Sequence, residues 1–239
     1  MVLIANNPSE NCNPFIGVKE LKKTFTLTDG KKLDVINIQK FSLDTGHQLA
    51  IFGQSGSGKS TFLNLLAGIL KVDSGSIKIG NVEISMLSEA DRDQVRAKLI
   101  GYVFQSFNLL QGCTALENIM IAMSVCGSVD RAKARDLLSM VGMSEKENFL
   151  PSQLSVGQQQ RIGVARSLAN DPKLILADEP TGSLDPENTL RSIDLLKSLS
   201  REKGCSLIVV SHDPTVVDCF DSFMKWEDLN KTEATSHES

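Results

Sequence analysis

Gln48-Leu49-Ala50-Ile51-Phe52 runs directly into Gly53-Gln54-Ser55-Gly56-Ser57-Gly58-Lys59-Ser60-Thr61, and Phe62, Leu63, Leu65, Leu66 and Ile69 follow at helical spacing. Residues 53–60 match G-x-x-x-x-G-K-[ST], so the stretch reads as a buried strand feeding a helix through a phosphate-cradling loop. Its glycines let the backbone curl until successive N–H groups face one oxyanion. The helix N-terminus adds about half a positive charge at the same place. Lys59 brings a full charge to β- and γ-phosphates, and the Ser60 hydroxyl can ligate Mg²⁺. The alternative is a flexible Gly/Ser turn, which needs neither the strand before it nor the helix after it.

Two further short apolar runs, residues 174–177 and 206–210, have the same character, each passing at once into polar residues. Such runs alternating with helical patterns indicate an α/β fold with a mainly parallel sheet. The first ends in Asp178-Glu179 and turns at Pro180-Thr181-Gly182, which puts two acids at the ligand-binding edge of a parallel sheet. Asp178 is expected to hold Mg²⁺, directly or through water, and Glu179 to polarise the water that attacks the γ-phosphate. Without the phosphate loop the pair would read as two solvated acids in a turn. The second run ends at Ser211-His212-Asp213. His47 precedes the first run and His237 lies near the C-terminus, which leaves His212 as the histidine able to reach a γ-phosphate. A lone histidine is more often structural, and His212 gains weight as the third polar element at one edge.

Leu154-Ser155-Val156-Gly157-Gln158 precedes another helical pattern (Ile162, Ala165, Leu168, Ala169), so Ser155 and Gly157 belong to a second anion-binding helix end. One nucleotide does not need two such ends in one chain. A head-to-tail pair uses both, each ATP lying between the phosphate loop of one copy and this segment of the other.

Composition sets outer limits. The 239 residues carry 25 Lys+Arg against 29 Asp+Glu, a net charge of −4 that disfavours a nucleic-acid partner bound through a basic surface. Five scattered cysteines without a CxxC pair read as reduced thiols in a cytoplasmic protein. No apolar run approaches the ~18 residues that span a bilayer, and Met1-Val2-Leu3-Ile4-Ala5 lacks the basic flank of a signal peptide. Any membrane role is therefore expected to come through a partner. Residues 1–14 read as a flexible arm, 15–228 as the folded domain and 229–239 as a solvated tail, with a helical lobe at about 106–160 suggested by helical spacing in 114–148.

Over residues 15–226 the chain resembles the ATP-binding subunits of ABC transporters. Gly53–Thr61 matches the Walker A loop, Gln105 the glutamine of the Q-loop, Leu154–Gln158 the LSGGQ signature and residues 174–179 the Walker B strand. Ser183-Leu184-Asp185 matches the D-loop and His212 the switch histidine. The resemblance implies a P-loop NTPase with a small antiparallel β subdomain and an inserted helical lobe. It implies ATP hydrolysis with Mg²⁺, Gln105 joining Glu179 and His212 in catalysis and Ser60 and Asp178 at the metal. It also implies Phe25 stacking on adenine, Ser155, Gly157, Gln158 and Asp185 meeting the nucleotide, a homodimer on ATP binding, and a transmembrane permease that holds the subunit at the inner face of the membrane. Phe104-Gln105-Ser106-Phe107-Asn108-Leu109-Leu110 and Leu176-Ala177-Asp178-Glu179-Pro180-Thr181-Gly182 look like the lipoprotein-release and macrolide-export branch, whose permeases have few spans and a large extracytoplasmic domain.

Two departures stand out. Val156 replaces the middle glycine of the signature, which requires either an extended backbone there or a weaker grip on the opposing nucleotide. Phe223-Met224-Lys225-Trp226-Glu227-Asp228 lacks the usual Asp-Gly turn and leaves the last strands open. Soluble ATPases of the same family that act on DNA or ribosomes typically carry a coiled-coil insertion or two cassettes, for which 239 residues leave no room. Asn230-Lys231-Thr232-Glu233 superficially matches the guanine-reading motif of GTPases, but it ends in Glu and falls in the expected tail.

Overall fold

A computed structural model describes residues 14–182 and 185–232. In it β1 (Ile16–Thr26) and β2 (Lys32–Leu43) form a long antiparallel hairpin with Val18 opposite Phe41 and Leu21 opposite Ile38. β3 (Gln48–Phe52) then leads through the glycine loop into α1 (Lys59–Leu66), and β4 (Ser74–Ile79) and β5 (Val82–Glu83) return to the hairpin. α2 (Glu89–Leu99) and β6 (Ile100–Val103) precede three helices, α3 (Ala115–Ser124), α4 (Arg131–Met140) and α5 (Val156–Ser167). The chain closes with β7 (Leu174–Asp178), α6 (Pro186–Glu202), β8 (Ser206–Ser211), α7 (Pro214–Asp218), β9 (Phe223–Lys225) and α8 (Trp226–Leu229).

Two sheets result. An antiparallel one runs β2-β1-β4-β5, and a second runs β6-β7-β8-β3-β9 with every described pairing parallel. The three apolar runs picked out by sequence are its central strands β7, β8 and β3. Burial on both faces explains why they read as unbroken apolar runs. Leu174, Leu176, Ile208 and Val210 join the core against α1 and the antiparallel sheet. Their chain neighbours Ile175, Ala177, Leu207 and Val209 face the opposite way, into the core built with the helices. Phe62 of α1 is fully buried with its ring edge-on to Phe41 at 5.4 Å. Truncating such a side chain costs about 3–5 kcal/mol.

Helix starts follow local chemistry. Thr114 and Ser155 each form a reciprocal capping box, with Glu117 and Gln158 respectively. Asp185 caps α6 by accepting from the Asn188 N–H.

The expected tail starts too early. Leu229 and Asn230 are buried, Asn230 accepts from the Asn37 N–H at 2.7 Å and donates to the Val35 carbonyl at 2.9 Å, and the Lys231 N–H reaches the Asn37 carbonyl. These bonds dock Asn230 and Lys231 on β2, a long-range pairing with no local signal. The segment that lacks the Asp-Gly turn forms β9 and α8 instead. Residues 1–13 and 233–239, and Ser183 and Leu184 of the D-loop match, lie outside the described residues, as does His237.

Candidate functional site

The strand order brings the carboxyl ends of β7, β8 and β3 side by side. Phe52 pairs with Ser211 and Asp178 with Val210, so Gly53, His212 and Glu179 leave the sheet at one edge. Gly58 caps α1 with φ 103°, and a Cβ there would lie 2.9 Å from Val35 Cγ1. Both the left-handed backbone and the close approach require glycine.

A cavity of about 420 Å³ opens above the loop. Ser55, Gly56, Gly58, Lys59, Ser60 and Thr61 form its floor, while Gln105, Glu179 and His212 form one side. Phe25, Leu33 and Val35 form the other, apolar side, with Phe25 36% exposed and the Lys23 ammonium 5.5 Å from its ring centroid. Leu33 and Val35 were not expected in the site. They sit on the β2 face that alternation alone could have flagged, but nothing local ties β2 to the loop. Gly53, Gln54 and Ser57 support the loop from behind. The Lys59 ammonium donates to the Gly53 and Gln54 carbonyls at 2.8 and 2.6 Å, and the Ser57 hydroxyl donates to Gln54.

Lys59 is 4% exposed, and its Nζ lies 3.7 Å from Glu179 Oε1. Burial pulls its pKa down, against the opposing pull of the Glu179 and Asp178 carboxylates. The other Glu179 oxygen accepts from the Ser211 hydroxyl at 3.2 Å and the His212 N–H at 3.3 Å, and lies 3.0 Å from His212 Nδ1. Glu179 itself has φ 44°, a left-handed conformation rare for a side-chain-bearing residue. Its N–H bonds the Val210 carbonyl and its carbonyl accepts from Gly182, which fixes the turn. Strain of this sort, of order 1–3 kcal/mol, persists where surroundings over-determine it and clusters at active sites. Asp178 accepts from the Ser60 hydroxyl at 2.8 Å. Burial pushes its carboxyl pKa up, and the adjacent Glu179 charge adds to that, while the Ser60 bond and Lys59 act the other way.

The signature residues are elsewhere. Ser155, Gly157, Gln158 and Asp185 line a second cavity of about 410 Å³ together with Val156, Gly142, Met143, Arg161 and Asn188. The two cavities share no lining residue. Val156 is the first residue of α5, 44% exposed and outside the positive-φ set, so the backbone there is helical and unstrained, not extended. One link between the halves escaped the sequence. Buried Gln160 of α5 donates to the Pro180 carbonyl at 2.6 Å and accepts from Ser192 of α6 at 2.6 Å, joining the signature helix to the turn after Glu179.

Comparison with known proteins extends these observations. The sequence model of the family described as ABC transporter matches residues 36–182. The lipoprotein-releasing system ATP-binding protein LolD of Treponema denticola is 42% identical over 207 residues, covering 85% of this chain and 91% of that protein. An uncharacterised ABC transporter ATP-binding protein of Mycobacterium tuberculosis is 41% identical over 209 residues, covering 86% and 84%. Among solved structures, the dimeric post-hydrolysis state of the ATP-binding cassette MJ0796 with ADP and Pi is 34% identical, with a TM-score of 0.80 over 88% of this chain and 93% of that one. A phosphate loop facing an acidic strand end, a signature helix facing elsewhere, and relatives matched across most of their length lead to one assignment: the chain belongs to the ABC transporter family, as an ATP-binding subunit.

Proposed function

We propose that two copies of this chain close head to tail around two ATP molecules, hydrolyse them, and so drive a separate membrane permease. The observation that carries this reading is the split equipment. Each chain has a phosphate loop in one cavity and a second anion-binding helix end in another, with no residue in common. A dimer in which each copy's Ser155, Gly157, Gln158 and Asp185 cover the other's loop uses both. The dimeric state of the similar MJ0796 cassette supports it.

Within one such site, adenine stacks on Phe25, and the N–H groups of residues 55–61 receive the phosphates. Lys59 exchanges its loop carbonyls for β- and γ-phosphate oxygens, a charge-assisted bond stronger than the neutral ones it leaves. That exchange also frees the Glu179 carboxylate from its cation. Glu179 then takes the proton of the attacking water, while Ser211 and His212 hold its second oxygen and Gln105 and the His212 ring bound the space around the γ-phosphate. The donor set suits Mg²⁺. The Ser60 hydroxyl and Asp178 carboxylate are hard oxygen ligands already paired, Gln105 adds an amide oxygen, and the described residues hold no competing group of three His, Cys, Asp or Glu. When bound, the ion neutralises charge developing on the β- and γ-phosphates.

No helix among the described residues is long and apolar enough to cross a membrane. Coupling therefore runs through a permease, with the chain on its cytoplasmic side and no nucleic-acid partner. The permease is of the lipoprotein-release and macrolide-export kind, supported by the LolD relative and by the Phe104–Leu110 and Leu176–Gly182 sequences. The cargo is selected by the permease.

The decisive experiment is Glu179→Gln. Loss of a general base lowers turnover by about 10²–10⁴-fold, with ATP binding retained. Light scattering is expected to find this variant dimeric with Mg-ATP and monomeric with ADP. A monomer at saturating Mg-ATP, even with the permease present, would overturn the two-chain site.

A further inference from the structure

Trp226 is the single tryptophan of the chain, 2% exposed, and no part of the nucleotide cavity wall. It stands where the family pattern breaks down. β9 pairs with β3 so that Lys225 lies opposite Phe52, which puts Trp226 beside the first residue of the phosphate loop. A Cβ on Gly53 would lie 2.6 Å from Trp226 Cβ, so the loop's first glycine is packed directly on this side chain. Its ring meets Phe62 of α1 at 5.7 Å. Its indole N–H donates at 2.7 Å to the Ser57 carbonyl, at the middle of the loop.

We infer that Trp226 is a positioning residue of the nucleotide site, holding the Ser57–Gly58 peptide so that its N–H faces the phosphates. This rests on the nucleotide reading of the loop. A trans peptide is planar, with its C=O and N–H pointing in opposite directions. Fixing the Ser57 oxygen on a buried donor behind the loop therefore turns the Gly58 N–H toward the cavity that Gly58 lines. Gly58, in a left-handed conformation, has no side chain to resist rotation of that peptide. The anchor is itself anchored, because α8 continues into Asn230, whose bonds to Val35 and Asn37 tie it to the strand that walls the cavity.

The indole and the phosphate then share one peptide. Hydrogen bonds in a chain polarise one another, so a phosphate accepting from Gly58 strengthens the bond that Ser57 accepts from Trp226. Trp226 emission is expected to change as Mg-ATP saturates the wild-type chain, along the binding curve measured by calorimetry. Trp226→Phe keeps an aromatic ring beside Phe62 and deletes the donor, together with part of the ring volume. It is expected to raise KM for ATP roughly five- to tenfold, the weight of one neutral hydrogen bond, with kcat changed less than twofold. Constant Trp226 emission during demonstrated ATP binding overturns the inference, and so does an unchanged KM in Trp226→Phe. Lys59→Ala separates the two readings. If that variant binds ATP as the wild type does, the phosphate loop itself is misassigned. If it loses ATP while Trp226→Phe does not, only the role of Trp226 falls.

Discussion

Asp178 and Glu179 are neighbours in the chain with different surroundings. Glu179 has a cation, a hydroxyl and a backbone N–H around its carboxylate, while Asp178 has the Ser60 hydroxyl and its own burial. The raised pKa of Asp178 has a definite sign for stability. A carboxyl titrating higher in the folded than in the unfolded chain destabilises the fold wherever it is ionised there, and the penalty disappears as acid protonates it. Asp178→Asn keeps an acceptor for Ser60 and removes the charge. It is expected to melt a few degrees above the wild type at neutral pH, and the gain should shrink as pH falls through the raised Asp178 value. Turnover in Mg-ATP should fall at least about tenfold through loss of the proposed metal ligand. Thermal melts of both proteins across the acid range test the sign. A wild type more stable than Asp178→Asn at neutral pH would contradict it.

At the scale of elements, α5 carries the signature at its N-terminus and the Gln160 link in its second turn. Gln160→Leu is nearly isosteric but leaves the Pro180 carbonyl and the Ser192 hydroxyl without their partner. An unsatisfied buried group costs about 1–3 kcal/mol, so at about 2–4 °C per kcal/mol for a chain of this size a fall in melting temperature of roughly 2–12 °C is expected. Turnover should fall as well, because the Pro180 turn fixes Glu179. A melting temperature unchanged in Gln160→Leu would remove this bond from the fold's supports. Sequence showed what is local. The β3 loop and α1 follow from residue order, and β7 and β8 from apolar runs that double burial produces. The start of α5 was also legible, because the helical spacing after Gln158 puts Ser155 at a helix end. The remainder depends on pairs far apart. Val35 reaches the site from the other sheet, Asn230 bonds Asn37 at a separation of 193 residues, and Trp226 bonds Ser57 at 169. No periodicity marks such pairs, and for that reason the chain end read as solvated when part of it is core.

For the whole molecule, the separation of the two cavities has a consequence in genetics. In a two-fold pair every composite site takes its loop from one copy and its signature from the other. Lys59→Ala damages the loop contributed by a chain and leaves the signature it lends to its partner. Ser155→Arg does the reverse, filling the second cavity with a bulky cation. Homodimers of either variant contain two damaged sites and should be inactive. A mixed dimer concentrates both lesions in one site and leaves the other wholly wild type. Mixing the two inactive proteins, or co-expressing their genes, should therefore restore ATPase activity, the restored fraction tracking the proportion of mixed pairs. Two lesions within a single chain should never be rescued, not even by a wild-type partner, because that chain then spoils one half of each composite site.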